Sequence, residues 1–338
     1  MSDRGTPRAD VTAATPEPDA PVPAALPDDP VPAPHTGAPD LVVIGNLLID
    51  DAVFPDGRTF MREPGGACLY VSLSAALWGA RTAVVSVRGD DYPVAALDAM
   101  LTRGIDLSGV RELEGPGLRT WLLYEAAGRR VLHHLGLPSH EEVSPEPRHV
   151  PTHCLGARAF HLAPMPFARQ AELVRALAPR REAGLSLDPH EPVTEKSLGA
   201  WREVLEHVDM FFLSEDELLL EEVDDDPRAA VRRLTGGRLR FVAFKRGARG
   251  GLLYDARSGS FIEWPPVPRL TGDPTGCGDA FAGGFLAAVL GGADVPEALD
   301  HGAISVSFCL EDWGARGLMR ATSEEARRRL REWLGAMS

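Results

Sequence analysis

From residue 41 onward, short β-branched runs alternate with stretches of helical spacing, and this order restricts the fold more than any other feature. The run DLVVIGNLLID favours a buried strand that ends near Gly45. Residues 68–80 have helical spacing and close on a glycine, residues 82–89 favour a strand, and residues 93–105 favour a helix. Repeated units of this kind predict an α/β fold whose mostly parallel sheet is covered by helices on both faces.

The second half of the chain continues the pattern. Further apolar runs stop at polar or turn residues and favour strands: RAFHLAPM, AGLSLDPH, VDMFFLSEDE and RFVAFKRG. Residues 167–183, between the first two of these runs, have helical spacing. Ligands of such sheets bind at the carboxyl ends of the strands, so we expect the functional residues to lie there.

Two segments break the alternation. Residues 54–63 favour one short strand. Residues 118–135 favour two more, at 118–124 and 131–135, which are joined by a turn such as Ala127-Gly128 with no helix between them. We expect them to form a small β-sheet outside the main sheet, as a lid or an interface.

Residues 1–40 differ in composition from the rest. They hold ten of the 29 prolines and no aromatic residue, so they cannot bury enough apolar surface to offset chain entropy. This segment is predicted to be a disordered Pro/Ala-rich tail, either a recruitment segment or a dispensable extension. Residues 41–338 are predicted to form the folded domain.

The overall charge and the apolar pattern exclude several classes of partner. A formal net charge of −14 argues against a nucleic-acid or anionic-membrane partner, because both need a basic surface. The sequence has no long apolar run and its start, MSDRGTPRAD, does not resemble a secretory signal, so we expect a cytoplasmic protein.

The four cysteines are scattered along the chain, so we expect them at buried positions rather than in a disulfide framework or a thiolate zinc site: Cys68, Cys154, Cys277 and Cys309.

A glycine-rich stretch, LTGDPTGCGDAFAGGFLAAVL, poses a problem of charge. Gly276 and Gly278 allow tight turns before an apolar helix whose first amides would suit an anion, yet Asp279 is an acid. The G-x-G-x-x-G dinucleotide pattern is not met, because its third position is Phe281.

The D-P-T-G-C-G-D motif within this stretch resembles the D-T-x-G-A-G-D signature of the ribokinase-like (PfkB) family of sugar and nucleoside kinases. Pro274 and Cys277 are variations on it. The resemblance spans about residues 41–320 and includes further segments in the family's order: GNLLIDD as the first strand with its aspartate, PGGACLYVSLSAALWGA, VRGDDYPVAALDAMLTRGIDLSGV, LSEDE, VAFKRGARGGLLY and SVSFCLEDWGARGL.

The resemblance implies a ribokinase-like fold with a β lid and ATP-dependent phosphorylation of a hydroxyl group. Asp279 would be the general base, and the amides of Gly276, Cys277 and Gly278 would form the anion hole. The helix dipole would keep Asp279 ionised, and magnesium and the hole would offset its repulsion of ATP. An alternative interpretation is that Asp279 only caps the helix.

The resemblance also implies metal and nucleotide residues. Glu217 matches a glutamate that helps to hold water around Mg²⁺, although Ser214 replaces the family's asparagine in this motif. Asp273 and Thr275, with the loop near Gly314, match positions that bind K⁺ in some members, and dependence on K⁺ stays open. Two residues at the end of a late strand are expected to approach the nucleotide, although a strand end and turn would also explain them: Lys245 and Gly247.

The expected substrate residues are Asp50, which can accept two hydroxyl hydrogen bonds, and the glycine pair Gly65 and Gly66. Tyr70 stands where many sugar kinases of the family carry asparagine, which indicates either an altered pocket or a packing role. Within the expected lid, His133 and His134 are expected at ordinary surface positions rather than in catalysis or metal binding, and Arg119 is a candidate contact for an anionic substrate.

These observations predict a carbohydrate kinase that acts on a sugar first, and on a nucleoside or cyclitol as the alternative. Ser214 and Tyr70 motivate a rival hypothesis, a non-catalytic ligand sensor with the same fold. In many relatives such lids also pair subunits, so a homodimer through the lid is a further expectation.

Overall fold

The computed structural model describes residues 37–125, 128–180, 182, 184–267 and 273–337. Residues 1–36 of the predicted tail and residue 127 of the predicted Ala127-Gly128 turn lie outside these ranges. Residues 37–40 of that predicted tail belong to the folded part. Asp40 accepts two hydrogen bonds from the Arg81 guanidinium, at 3.0 and 2.9 Å, and its carbonyl accepts one from the Ala159 amide.

The strands of the described ranges follow in chain order: β1 (Leu41–Ile44), β2 (Leu48–Val53), β3 (Thr59–Gly65), β4 (Thr82–Arg88), β5 (Asp106–Glu112), β6 (Arg119–Glu125), β7 (Gly128–His133), β8 (Ala159–Leu162), β9 (Gly184–Leu187), β10 (Val193–Thr194), β11 (Met210–Ser214), β12 (Leu218–Leu219), β13 (Phe241–Lys245), β14 (Gly251–Asp255) and β15 (Ser260–Trp264).

The α-helices of the same ranges are α1 (Ala67–Leu77), α2 (Val94–Thr102), α3 (Phe167–Leu177), α4 (Leu198–Leu205), α5 (Pro227–Arg232), α6 (Cys277–Gly291), α7 (Val295–Cys309), α8 (Arg316–Arg320) and α9 (Ser323–Met337). None of them combines the length and the apolar character that crossing a membrane requires.

The main sheet has nine strands in the order β15-β14-β13-β11-β9-β8-β1-β4-β5. The strands from β13 to β5 run parallel, and β14 and β15 add an antiparallel edge. The parallel order places the residues that follow β1, β9, β11 and β13 at one edge of the sheet.

Both faces of the main sheet are buried, as the apolar runs predict. Leu41 and Val43 pack into a core with α1, α6 and α7, whereas Val42 and Ile44 pack into a second core with α3 and α4. All four side chains are fully buried. Because successive side chains of a strand point to opposite faces, only a continuous apolar run can fill both cores.

A second sheet has the order β3-β2-β6-β7, with β2 and β6 parallel and the outer pairs antiparallel. Its aromatic side chains pack against the connection between α7 and α8: the Phe54 ring stacks on Tyr124 with centroids 4.6 Å apart and lies 4.4 Å from the Trp313 ring. We call β3, β2, β6 and β7 the small sheet.

The predicted alternation and the helix-covered parallel sheet are confirmed, and the differences lie at the edges. The small sheet includes β2, which the predicted segments 54–63 and 118–135 omit. The expectation that Asp50 belongs to the first strand is wrong, since β1 ends at Ile44 and Asp50 lies within β2. Strand β5 and the β14–β15 hairpin also add to the main sheet.

Candidate active site

The glycine-rich loop forms the start of α6. Gly276 has a φ of 72°, a left-handed conformation that favours glycine, and the helix begins at Cys277. A Cβ atom at Gly276 would lie 2.1 Å from Cδ1 of Tyr70. Tyr70 is 2% exposed, so its ring fills the space that a side chain at position 276 would need. The loop therefore requires glycine for backbone conformation and for packing.

The free amides of this loop differ from the expected set. The Cys277 N–H donates to the Pro274 carbonyl at 3.2 Å, which closes a turn and removes it from the predicted anion hole. Gly276 and Gly278 have no such partner within the described ranges, and the Asp279 amide lies in the first helical turn. Free amides at the start of a helix bind anions, so the amides of positions 276, 278 and 279 are the candidates for the expected anion hole.

Asp279 is the third residue of α6 and is half-buried. No side chain caps α6, so the alternative in which Asp279 is only a cap has no support in its geometry. Burial raises the pKa of Asp279 to about 6, and the nearby Lys245 charge opposes this increase. The adjacent Lys245 ammonium therefore favours the ionised form of this carboxyl, and the expected contribution of the helix dipole stays a prediction.

Lys245 connects the loop to the main sheet. Its Nζ lies 2.6 Å from Oδ2 of Asp188, and a Cβ at Gly278 would lie 3.0 Å from that same Nζ. Burial raises the pKa of Asp188 to about 6 despite the lysine. The sequence interpretation missed Asp188, although its position directly after the run that forms β9 was an available signal.

Glu217 completes this acidic group. Its carboxylate accepts hydrogen bonds from the Ser214 amide, at 2.6 Å, and from the Ser214 hydroxyl, so the serine that replaces asparagine holds it in place. Burial, and then the Asp188 charge, raise the pKa of Glu217 to about 7. The charge of Lys245 lowers the pKa of all three carboxyls, Asp188, Glu217 and Asp279, and Arg129 adds a further positive charge near Asp279.

Asp50 faces the same side of the molecule from the small sheet. The Thr120 hydroxyl donates to its carboxylate, and burial raises the pKa of Asp50 to about 7. A Cβ at Gly65 would lie 2.1 Å from Asp50 Oδ2, and one at Gly66 would lie 2.3 Å from the Asn46 carbonyl. The glycine pair thus lets Asp50 and Asn46 pack closely against the backbone at positions 65 and 66.

Asp273 ties the small sheet to the loop. Its Oδ1 accepts hydrogen bonds from the Thr275 amide at 2.9 Å and from the Tyr124 hydroxyl, and its Oδ2 accepts the Gly314 amide at 2.8 Å. Arg129 of β7 donates to the Thr275 hydroxyl at 2.6 Å. The sequence interpretation missed Tyr124 and Arg129, because nothing in the sequence showed which lid residues would reach the loop.

Other expected residues have different surroundings. Gly247 begins a turn after β13 with a φ of 53°, and no described contact joins it to the acidic group. Arg119 is paired with the buried Asp51 at 2.5 Å, so its expected role toward an anionic substrate is not supported. His134 lies 3.0 Å from the same carboxylate and is not an ordinary surface residue, whereas His133 is exposed.

Known proteins are similar to this chain in sequence and in fold. Residues 38–320 match the family described as pfkB family carbohydrate kinase. A cytidine kinase of Thermococcus kodakarensis is 36% identical over 281 residues, which cover 81% of this chain and 97% of that protein.

Two solved structures show the same fold. A nucleoside kinase of Burkholderia thailandensis in complex with inosine has a TM-score of 0.67 at 18% identity, covering 87% of this chain and 98% of that chain. An Arabidopsis thaliana ribokinase complexed with ribose and ATP has a TM-score of 0.67 at 20% identity, covering 87% and 99%.

Proposed function

The chain belongs to the pfkB family of carbohydrate kinases, and from this membership we propose that it transfers the terminal phosphoryl group of ATP to a hydroxyl of a nucleoside. The observation that carries the proposal is the half-buried Asp279 carboxylate beside Lys245 and the free amides of the glycine-rich loop. Membership of the family makes the protein a phosphotransferase, so the rival hypothesis of a non-catalytic sensor is not retained.

In the proposed reaction, Asp279 accepts the proton of the substrate hydroxyl while that oxygen attacks the terminal phosphorus of ATP. The new P–O bond forms as the bond to the leaving oxygen breaks, and ADP departs. A pKa of about 6 suits this role, because the carboxyl is mostly ionised at neutral pH yet remains a usable base. The amides of Gly276, Gly278 and Asp279 would stabilise the charge on the transferred group.

The acidic group fits a magnesium ion by its donor chemistry. Three carboxylates lie around Lys245, and Mg²⁺ prefers oxygen ligands and retains several of its waters. When bound, Mg²⁺ supplies positive charge that offsets the charge of the phosphates. Glu217, fixed by the Ser214 amide, is the residue we propose to hold the ion or its water.

Potassium has less support. Both carboxylate oxygens of Asp273 already accept hydrogen bonds, from the Thr275 and Gly314 amides and the Tyr124 hydroxyl, so a cation would have to compete for them. We therefore route no step through K⁺. Turnover in KCl compared with turnover in choline chloride at equal ionic strength tests this directly.

We propose that the small sheet acts as a lid over the substrate. Tyr124 and Arg129 reach from it to Asp273 and Thr275, so the sheet and the loop meet at their side chains. A closed sheet would exclude water from the reacting groups and limit hydrolysis of ATP. The outward side of the same sheet is where a homodimer would form.

A nucleoside replaces a sugar as the first substrate hypothesis because the cytidine kinase relative is similar over nearly its whole length. The test measures ADP release with ATP and Mg²⁺ across cytidine, other nucleosides, ribose, fructose and inositols. We expect the highest kcat/KM for a nucleoside. Binding of a panel member without ADP release would contradict the proposed function, and the Asp279→Asn variant provides the matched inactive control.

A further inference from the structure

Three histidines from separate segments meet where the small sheet borders the main sheet. His133 ends β7, His140 lies in the connection to β8, and His190 follows β9. His140 Nδ1 lies 3.2 Å from His190 Nε2, and their rings are 4.4 Å apart and nearly perpendicular. The His133 ring is centred 6.0 Å from that of His140. We call these three residues the histidine cluster.

The histidine cluster lies on the side of the small sheet that carries Asp50. In the strand register Asp50 pairs with Thr120, and Thr120 pairs with His133. Side chains of paired residues point to the same face of a sheet, and the Thr120–Asp50 hydrogen bond agrees with this arrangement. On the main sheet, His190 is two residues from Asp188. The cluster therefore joins the two sides of the proposed active site.

A buried amide beside the cluster lacks a partner. Asn46 follows β1 and is 2% exposed, and its Nδ2 has no hydrogen-bond partner within the described ranges. Its Oδ1 lies 3.5 Å from the Ser144 hydroxyl, which donates to the His140 carbonyl at 2.7 Å. Leaving a buried donor unsatisfied costs free energy, so this amide points to an acceptor on a ligand.

The chemistry of the cluster favours a heteroaromatic ligand over a polyol. Burial, and then the neighbouring imidazoles, lower the pKa of His140 to about 3. A neutral imidazole presents one donor, one acceptor and an aromatic face, which together complement the edge and the plane of a base. A free sugar lacks an aromatic ring and so cannot form π-stacking contacts with these imidazoles.

Building on the proposed function, we infer that the histidine cluster binds the base of a nucleoside whose ribose hydroxyls face Asp50. The cluster would then set the preference for nucleosides over free sugars, and Asn46 would contribute a donor at its inner edge.

The test compares two variants with a matched control. His140→Phe keeps a ring of similar volume but removes both nitrogens, His190→Asn keeps a donor and an acceptor but removes the aromatic face, and His207→Ala changes an exposed histidine elsewhere. We expect both cluster variants to raise the KM for cytidine at least about tenfold, as loss of one stacking or hydrogen-bonding contact predicts, while kcat and the KM for ATP stay near wild type.

The comparison substrate is ribose or another sugar that the wild-type enzyme phosphorylates, whose KM should not change. If only nucleosides react, the Kd of cytidine by calorimetry replaces that comparison, and weaker binding in both cluster variants but not in His207→Ala supports the inference. An unchanged KM for cytidine, or equal losses for cytidine and the sugar, overturns it. Turnover of sugars alone by wild type also overturns it and leaves the kinase function standing, whereas no turnover of any substrate contradicts the function itself.

Discussion

Lys245 and Asp188 form a buried ion pair, with Nζ and Oδ2 2.6 Å apart, where strands β13 and β9 end beside the glycine-rich loop. One lysine therefore stabilises the sheet edge, lowers the pKa of Asp279 and borders the proposed phosphate site. These roles can be separated by mutation, because stability, the pH profile and nucleotide affinity are different measurements.

Lys245→Met should reduce the free energy of unfolding by about 3 to 5 kcal/mol at pH 8, because it leaves the Asp188 carboxylate buried without its partner. Adding Asp188→Asn should recover part of that loss, since the buried charge is then removed. Urea denaturation of the two single variants and the double variant checks the coupling. Strictly additive losses would show that the pair does not act as a unit.

Asp279→Asn should lower kcat by about a hundredfold to ten-thousandfold, the usual contribution of general-base catalysis. The amide keeps the size of the side chain, and the helix has no side-chain cap to lose. Nucleotide affinity should stay the same or increase slightly, because a negative charge near the phosphates is removed. Steady-state kinetics and calorimetry with ADP measure the two effects, and near-normal turnover would show that Asp279 is not the base.

The kcat/KM of the wild-type enzyme should fall as the pH decreases below about 6. Burial raises the pKa of Asp279 to about 6, so the base form is present above that pH and is lost as the pH falls through it. In Lys245→Met this decrease in kcat/KM should begin at a higher pH, since the lysine charge lowers the pKa of Asp279 in the wild-type enzyme. Because Glu217 and Asp188 titrate in a similar pH range, the pH dependence of kcat/KM reports the three carboxyls together rather than Asp279 alone. If kcat/KM of Lys245→Met has the same pH dependence as that of the wild-type enzyme, this account is contradicted.

The two glycines of the loop should respond differently to alanine. Gly276→Ala should cost about 2 to 4 kcal/mol of stability, from the left-handed φ and the overlap with the Tyr70 ring. Gly278→Ala should leave stability within about 1 kcal/mol, because its Cβ meets only the flexible end of Lys245, yet it should raise the KM for ATP. Thermal melting and ATP kinetics of both variants check the contrast; equal effects on stability would argue against it.

Truncation should place the start of the folded domain between residues 37 and 40. A chain that begins at residue 37 should melt like the full-length protein, because the removed segment is too poor in apolar side chains to join a core. A chain that begins at residue 41 should lose about 1 to 3 kcal/mol, because the hydrogen bonds of Asp40 to Arg81 and Ala159 are lost. Equal stability of the two truncated chains would contradict this boundary.

The alternation of apolar runs was enough to predict the main sheet, because both faces of a parallel strand must be buried. Strand β2 was missed because Asp50 and Asp51 lie at its centre, and acids inside a strand resemble a turn in the sequence. Their burial depends on Thr120 and Arg119, which are about 70 residues away in the chain.

The same limit applies to the site. The motif was sufficient to predict Asp279 and the loop glycines as site residues. It did not show that the Cys277 amide donates to the Pro274 carbonyl within a turn, because residue spacing does not reveal such a hydrogen bond. Tyr124 and Arg129 carry no local signal, since their role depends on where the small sheet packs. The tyrosine at position 70 is explained only by the structure, in which its ring fills the space that a side chain at Gly276 would need.

The hydrogen bonds of Asp273 have a consequence for the sequence of events in a catalytic cycle. One carboxylate holds Thr275 of the loop, Gly314 after α7 and Tyr124 of the small sheet. If the sheet opens to admit or release a substrate, Tyr124 leaves Asp273 and the loop loses part of its support. The loop would then be best ordered only after the acceptor is enclosed, which favours an ordered mechanism in which the acceptor binds before productive engagement of ATP.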